Sequence, residues 1–191
     1  MLRPVRTVAP ATLPVSLAWA KEHLKVTSDD QDSLIASYID AAVSHLDGWS
    51  GILGRCMVSQ TWRQDYDGFY SRGLKLPFPD VQSVVVSYTD ENGATQTLAD
   101  SNYHLVNQVG GTRIILSDGG TFPGTADRPD AVRVTMVAGY GTADDVPPAL
   151  QAAILLHVGH LYVNREAVGS AQSELPLAYA ALIGPHRRVG L

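Results

Sequence analysis

A single cysteine, Cys56, stands in this 191-residue chain, so no internal disulfide can staple the fold. A 45% hydrophobic composition has to supply the core instead. Cys56 itself reads as a small apolar filler. Charge is also scarce at 17% and leans acidic, with a formal net charge of -5. That balance argues against a duplex-binding surface, which draws most of its affinity from Lys and Arg set against phosphates. No run approaches the apolar length of a membrane span, and the prolines of MLRPVRTVAPATLPVSLAW break any signal-peptide core, so a soluble, cytoplasmically made protein is expected.

The motifs of common chemistries are missing too. There is no G-x-S-x-G elbow around a serine and no H-E-x-x-H. Gly110-Gly111, Gly119-Gly120 and Gly139-Tyr140-Gly141 lack the strand-loop-helix setting of a dinucleotide site and read as turns. Trp19, Trp49 and Trp62 have few basic neighbours and read as core or interface anchors rather than base-stacking platforms.

What is present is two apolar helical blocks flanking a β-rich middle. In Asp32 to Trp49, residues Leu34, Ile35, Tyr38, Ile39, Ala42, Val43, Leu46 and Trp49 recur at helical steps and form one wide stripe. Pro147 to Val163 is apolar around most of its circumference, which suits the centre of a bundle, with prolines in its first turn. The two blocks are expected to pack together. Part of the Leu155, Leu156 and Tyr162 surface should face the β insertion or a neighbouring subunit.

Ser16 fits the N-cap of a short helix over LAWAKEHLKV, and Asp29, Asp30 and Asp32 read as caps of the following long helix, which should end between Gly48 and Gly54. Residues 1–15, with Pro4, Pro10 and Pro14, form an extended lead-in. From Met57 the period changes. MVSQTWRQDY and LKLPFP read as strands, VQSVVVSYTDENGATQTL as a hairpin turning at Asn92-Gly93, and TRIILS and AVRVTMVAGYG as two more strands around the loop DGGTFPGTADRPD. Consecutive strands with short connections favour an antiparallel sheet. The expected class is α+β, a small helical bundle with a central antiparallel β-rich insertion: 1–55 arm and helices, 56–141 insertion, 142–191 closing helices and tail.

His157, His160 and Asn164 share a narrow arc of the second block. Zinc would want a third ligand better than Asn, so the stripe reads as polar contacts to another helix or subunit, and neither cofactor nor metal is expected. A small hydrolase using His157 or His160 is the enzymatic alternative, and it would need a nucleophile or third ligand converging there. After the linker NREAVGSAQSE, the apolar Leu175, Leu177, Leu182 and Ile183 followed by Arg187 and Arg188 read as a docking peptide, dispensable for folding, that orders on a partner.

Taken together, PVSLAWAKEHLKV, DSLIASYIDAAVSHLDGWSGILGRCMVSQTW, RPDAVRVTMVAGYG, VPPALQAAILLHVGHLYVNREAV and LPLAYAALIGPHRR resemble the head-to-tail connector, or adaptor, proteins of tailed bacteriophages and gene transfer agents. The resemblance implies a structural, non-enzymatic subunit at the virion neck. It would form a ring of about twelve copies under the portal protein and extend a DNA channel through which DNA passes without specific binding. A stopper or tail-terminator protein would dock below, no membrane would be involved, and Leu175 to Leu191 would dock on the portal. A stopper or tail-completion protein of the same particle is the alternative within that class.

Overall fold

A computed structural model describes residues 1–108, 111–117, 120–165 and 177–188. The chain divides into two compact units, one of Thr12–Val58 with Tyr140–Arg188, the other built from Met1–Ala11 with Ser59–Gly139. The α+β class read from the sequence is borne out: four α-helices and two antiparallel sheets are present among the described residues.

In the first unit, α1 (Leu17–Leu24) starts at Ser16, whose hydroxyl accepts from the Trp19 amide at 3.2 Å. It ends at Lys25 in the left-handed region (φ 58°). The long helix α2 (Asp32–Leu46) buries Ile35, Ile39, Ala42, Val43 and Leu46 of the predicted stripe; Leu34 and Tyr38 are half-buried, and Trp49 lies past the helix end and is exposed. Its N-cap differs from expectation. Gln31 occupies the position without a side-chain cap bond, because Asp29 and Asp32 both turn to Lys21 of α1, each at 2.6 Å. Asp30 is taken by the Ser28 hydroxyl at 2.6 Å. A salt link between helices has displaced the local cap.

Helix α3 (Pro148–Val163) follows a 3-10 turn closed by a reciprocal Thr142/Asp145 capping box. From Ala149 to Tyr162 no residue is fully exposed, as an all-round apolar helix requires. It packs on α1, α2 and α4 (Leu177–Ile183), and Leu150, Ala153, Ile154, Leu155 and Val158 join the α2 stripe in one core. Leu155 thus faces inward, and Tyr162 packs against the same core with Arg165 4.7 Å over its ring. No helix among the described residues is long and apolar enough to cross a membrane.

The second unit holds a five-stranded sheet in the order β1-β2-β8-β4-β5 and a three-stranded sheet β3-β7-β6. The five-stranded sheet comprises β1 (Val5–Val8), β2 (Gln60–Tyr66), β4 (Val81–Thr89), β5 (Thr95–Thr97) and β8 (Val132–Ala138). β3 (Leu74–Lys75), β6 (Tyr103–Gln108) and β7 (Gly111–Leu116) make the other. Trp62, Val134, Met136 and Val86 lie on the buried face of the larger sheet, with Trp62 4.9 Å from Phe78. The row Val5, Arg63, Thr135, Val85 crosses its other face in register. The hairpin turns at Asn92-Gly93 as predicted. Gly93 has φ 83°, and Asp90 accepts from the Asn92 and Ala94 amides at 3.0 and 2.9 Å. Gly73 (φ 77°) permits a closer approach still, since a Cβ there would lie 2.2 Å from the Ile114 carbonyl oxygen.

Two strands escaped the sequence reading. The extended lead-in contributes β1, and YHLVNQ, whose mixed polarity hides its period, forms β6. β3 is shorter than LKLPFP suggests because its prolines end the ladder.

Candidate functional site

The histidine arc on α3 does not converge. The His157 ring lies edge-on between His45 of α2, 5.3 Å away, and Tyr179 of α4, 5.4 Å away. Its Nδ1 and the Tyr179 hydroxyl are buried without hydrogen-bond partners. Burial, with smaller contributions from His45 and His160, holds His157 below the ordinary histidine range, and burial pushes the Tyr179 hydroxyl up to about 12. His160 and Asn164 stay one turn away at the helix end, where the Asn164 amide donates to the His160 carbonyl at 2.9 Å and so closes α3. Arg165 then donates to Gln31 at 2.8 Å. Among the described residues no group of three His, Cys, Asp or Glu side chains could hold a metal ion. Of the arc, His157 packs helix against helix, while His160 and Asn164 close the end of α3, and among the described residues no third metal ligand joins them.

The docking residues proposed from the sequence are divided by the fold. Leu175 lies outside the described residues. Leu177 is 93% exposed, but Ile183 is 5% exposed and, with Tyr179 at 4%, sits in the helical core. Leu182 packs partly against the same core. A seven-residue helix can turn Tyr179 and Ile183, four apart, to one side only, so Leu177 and the small Ala178, Ala180 and Ala181 face out. The expectation of a peptide independent of folding therefore needs revising, because α4 is packed structure.

Beyond α4, a 3-10 turn (Gly184–His186) leads to Arg187, which is exposed, and Arg188, which is half-buried and whose amide donates to the Leu53 carbonyl at 2.8 Å. Arg55 supports this region. Its guanidinium donates to the Tyr140 hydroxyl at 2.6 Å, and that hydroxyl lies 3.5 Å from His186 Nδ1. Burial, and then repulsion from the Arg55 guanidinium, lower both His186 and Arg188. The sequence reading missed Arg55 and Tyr140 here. Their only local signal was the strand-ending Gly139-Tyr140-Gly141.

Trp62 alone of the tryptophans is buried, while Trp19 and Trp49 are 41% and 40% exposed. Cys56 is buried, as a filler should be.

With this geometry in view, residues 14–70 match the family model of phage gp6-like head-tail connector protein, so the resemblance read from the sequence is borne out. No curated protein matches the chain. Among solved structures, a chain in the neck of an empty gene transfer agent (GTA) particle computed with C6 symmetry superposes with a TM-score of 0.79 at 21% identity, covering 100% of this chain and 97% of that one. Chains in the virion of the native GTA particle and in the native GTA neck computed with C12 symmetry each give a TM-score of 0.76 at 22% identity, with coverage of 100% and 97%. The likeness spans both units and is one of fold.

Proposed function

We propose that this chain, a phage gp6-like head-tail connector protein by its residues 14–70, is the adaptor subunit of a virion neck. A ring of about twelve copies sits beneath the portal, prolongs the DNA channel and presents a platform to a stopper or tail terminator. The observation that carries this reading is the end-to-end likeness to chains of a GTA neck, joined to the connector family match. Its role is structural, in keeping with that family, and it calls for no reaction and no cofactor.

The electrostatics suit a conduit. Each copy contributes a net charge of -5, and a ring of that sign repels a passing phosphate backbone rather than gripping it. Attachment to the portal falls to the outward part of the C-terminal segment, Leu177 and Arg187, with α4 acting as a rigid mount instead of a loose peptide. The free protein associates weakly, and the portal acts as the template that fixes the rotation of a closed heterologous ring.

The test is to mix purified full-length protein with purified portal and image the product, alongside sedimentation of each alone. A ring seated on the portal is the expected result. A stable closed dimer that ignores the portal, or density one layer lower in the assembled neck, sinks the adaptor assignment. Leu177→Asp with Arg187→Glu should reduce portal occupancy at least tenfold without altering thermal stability. Wild-type occupancy would move the docking role elsewhere.

A further inference from the structure

The five-stranded sheet ends on two strands whose outer edges pair with nothing among the described residues: β1 at one side and β5 at the other. All four residues of β1 are exposed, and so are all three of β5. Open edges present a row of unpaired N–H and C=O groups, the template to which another strand adds. β1 also exposes apolar side chains, with Val5 at 49% and Val8 at 57%.

The segments that carry and flank the two edge strands hold opposite charge. In Met1–Ala11, the arm that carries β1, there are Arg3 and Arg6 and no Asp or Glu. Arg6 is exposed and donates to Gln60 at 3.5 Å. From Thr89 to Asn107, the stretch containing β5, there are Asp90, Glu91 and Asp100 and no Lys or Arg. Glu91 and Asp100 are exposed, and Asp90, the keystone of the hairpin turn, is held ionised chiefly by the Gln96 amide together with the Ala94 and Asn92 amides.

We infer that the occupant of each edge is a second copy of this chain, the basic β1 of one copy adding to the acidic β5 edge of the next, so that the sheet continues from subunit to subunit. This inference rests on the ring reading above and names its interface. A basic edge repels its own copy, and so does an acidic one, which disfavours the isologous β1-to-β1 and β5-to-β5 pairings that would close a dimer. The remaining pairing is head-to-tail, and a heterologous contact repeated by rotation is what closes a ring. Both strands are short, and β1 carries a register irregularity between Arg6 and Val8. Each contact is therefore weak, in line with a ring that needs its portal template.

Charge reversal at the two edges tests this on the full-length protein. One variant carries Arg3→Glu and Arg6→Glu, the other Glu91→Lys and Asp100→Lys, and each is checked for an unchanged thermal transition. Copies bound per portal are then counted by native mass spectrometry. Each variant alone should lose at least tenfold in ring occupancy. An equimolar mixture should recover it, because every reversed β1 then meets a reversed β5. Full rings from either variant alone, or failure of the mixture to recover, overturn the edge pairing while leaving the adaptor role standing. If the wild type itself forms no ring on the portal, the adaptor role fails, and the inference falls with it. Should the arginine variant not fold, the acidic-edge variant alone still decides, since full occupancy from it overturns the inference and a tenfold loss supports it.

Discussion

The two units solve burial differently. The helical unit has a core made almost wholly of apolar side chains, with the hydroxyl of Tyr179 and Nδ1 of His157 among the buried polar atoms left without hydrogen-bond partners, as Gln64 Oε1 is in the β unit. The buried polar side chains Gln60, Gln64, Asp65 and Thr112 all belong to the β unit. Gln60 accepts from the Trp62 indole at 3.1 Å, Gln64 donates to the carbonyls of Leu2 and Asp65, and Asp65 pairs with Arg63 at 3.2 Å and Arg133 at 3.5 Å. A helix satisfies its own backbone, so its buried face can be dry. A short edge strand such as β1 leaves groups that side chains must meet. The contrast extends to the two ends of the chain: α4 is held by apolar burial, the N-terminal arm by polar contacts.

The strongest way to break that contrast is to remove residues 177–191. Exposing the face that Tyr179 and Ile183 cover should cost on the order of 4 kcal/mol, more than any single truncation of comparable residues. Urea denaturation would show it as a lower midpoint or a lost cooperative transition, and an unchanged midpoint would return α4 to the status of a loose docking peptide.

Next in size, Leu150→Ala in α3 should lose about 3 kcal/mol with a cavity in a site that is fully buried. Met136→Ala in β8, 1% exposed, should lose a similar amount. Equal losses would locate the difference between the units in their polar groups rather than in packing. Asp65→Asn sharpens that point directly: with Arg63 and Arg133 deprived of a charged partner, about 1–3 kcal/mol should go, measured against Asp40→Asn on the exposed side of α2 as a control with almost none.

Smaller still is a pH effect confined to the helical unit. His157 and His186 have folded values below their ordinary ones, so the unfolded chain binds protons first as pH falls. Stability is therefore full above about pH 6.5 and declines below it, down to the depressed folded values. Thermal melts between pH 7.5 and 5 should show this slope, and His157→Phe, which keeps a ring between His45 and Tyr179, should flatten part of it. At the other end, the raised Tyr179 value predicts a loss of stability as pH climbs above 10. The smallest expected effect is none: zinc or a chelator should leave the melting temperature unchanged, because a metal bound only to the folded state would raise it.

Much of this was legible in the sequence because periodicity survives translation into contacts. The α2 stripe, the Ser16 cap, the proline start of α3 and the Asn92-Gly93 hairpin depend on neighbours within a few residues, and each appears where its local chemistry places it. Strand β6 was missed because its exposed His104, Asn107 and Gln108 mask any alternation, and the α2 cap was misread because Lys21, in another helix, outbids the local amide for Asp29 and Asp32.

The candidate site was legible in outline only. The sequence marked the C-terminal apolar residues and arginines as a group, yet nothing in their order says that Tyr179 and Ile183 turn inward while Leu177 turns out. That division depends on the side of α3 against which α4 rests. The opposite charge of Arg3 and Arg6 against Asp90, Glu91 and Asp100 was likewise present in the sequence, but that the segments holding them flank the two open edges of one sheet comes from strand order, a pairing between residues tens of positions apart. Sequence by itself determined which segments could be helix or strand and which faces had to be buried, since those follow from the steps of the backbone. Tertiary structure decided which of those faces meet each other and which edges remain open, since that depends on long-range contacts that no local pattern encodes.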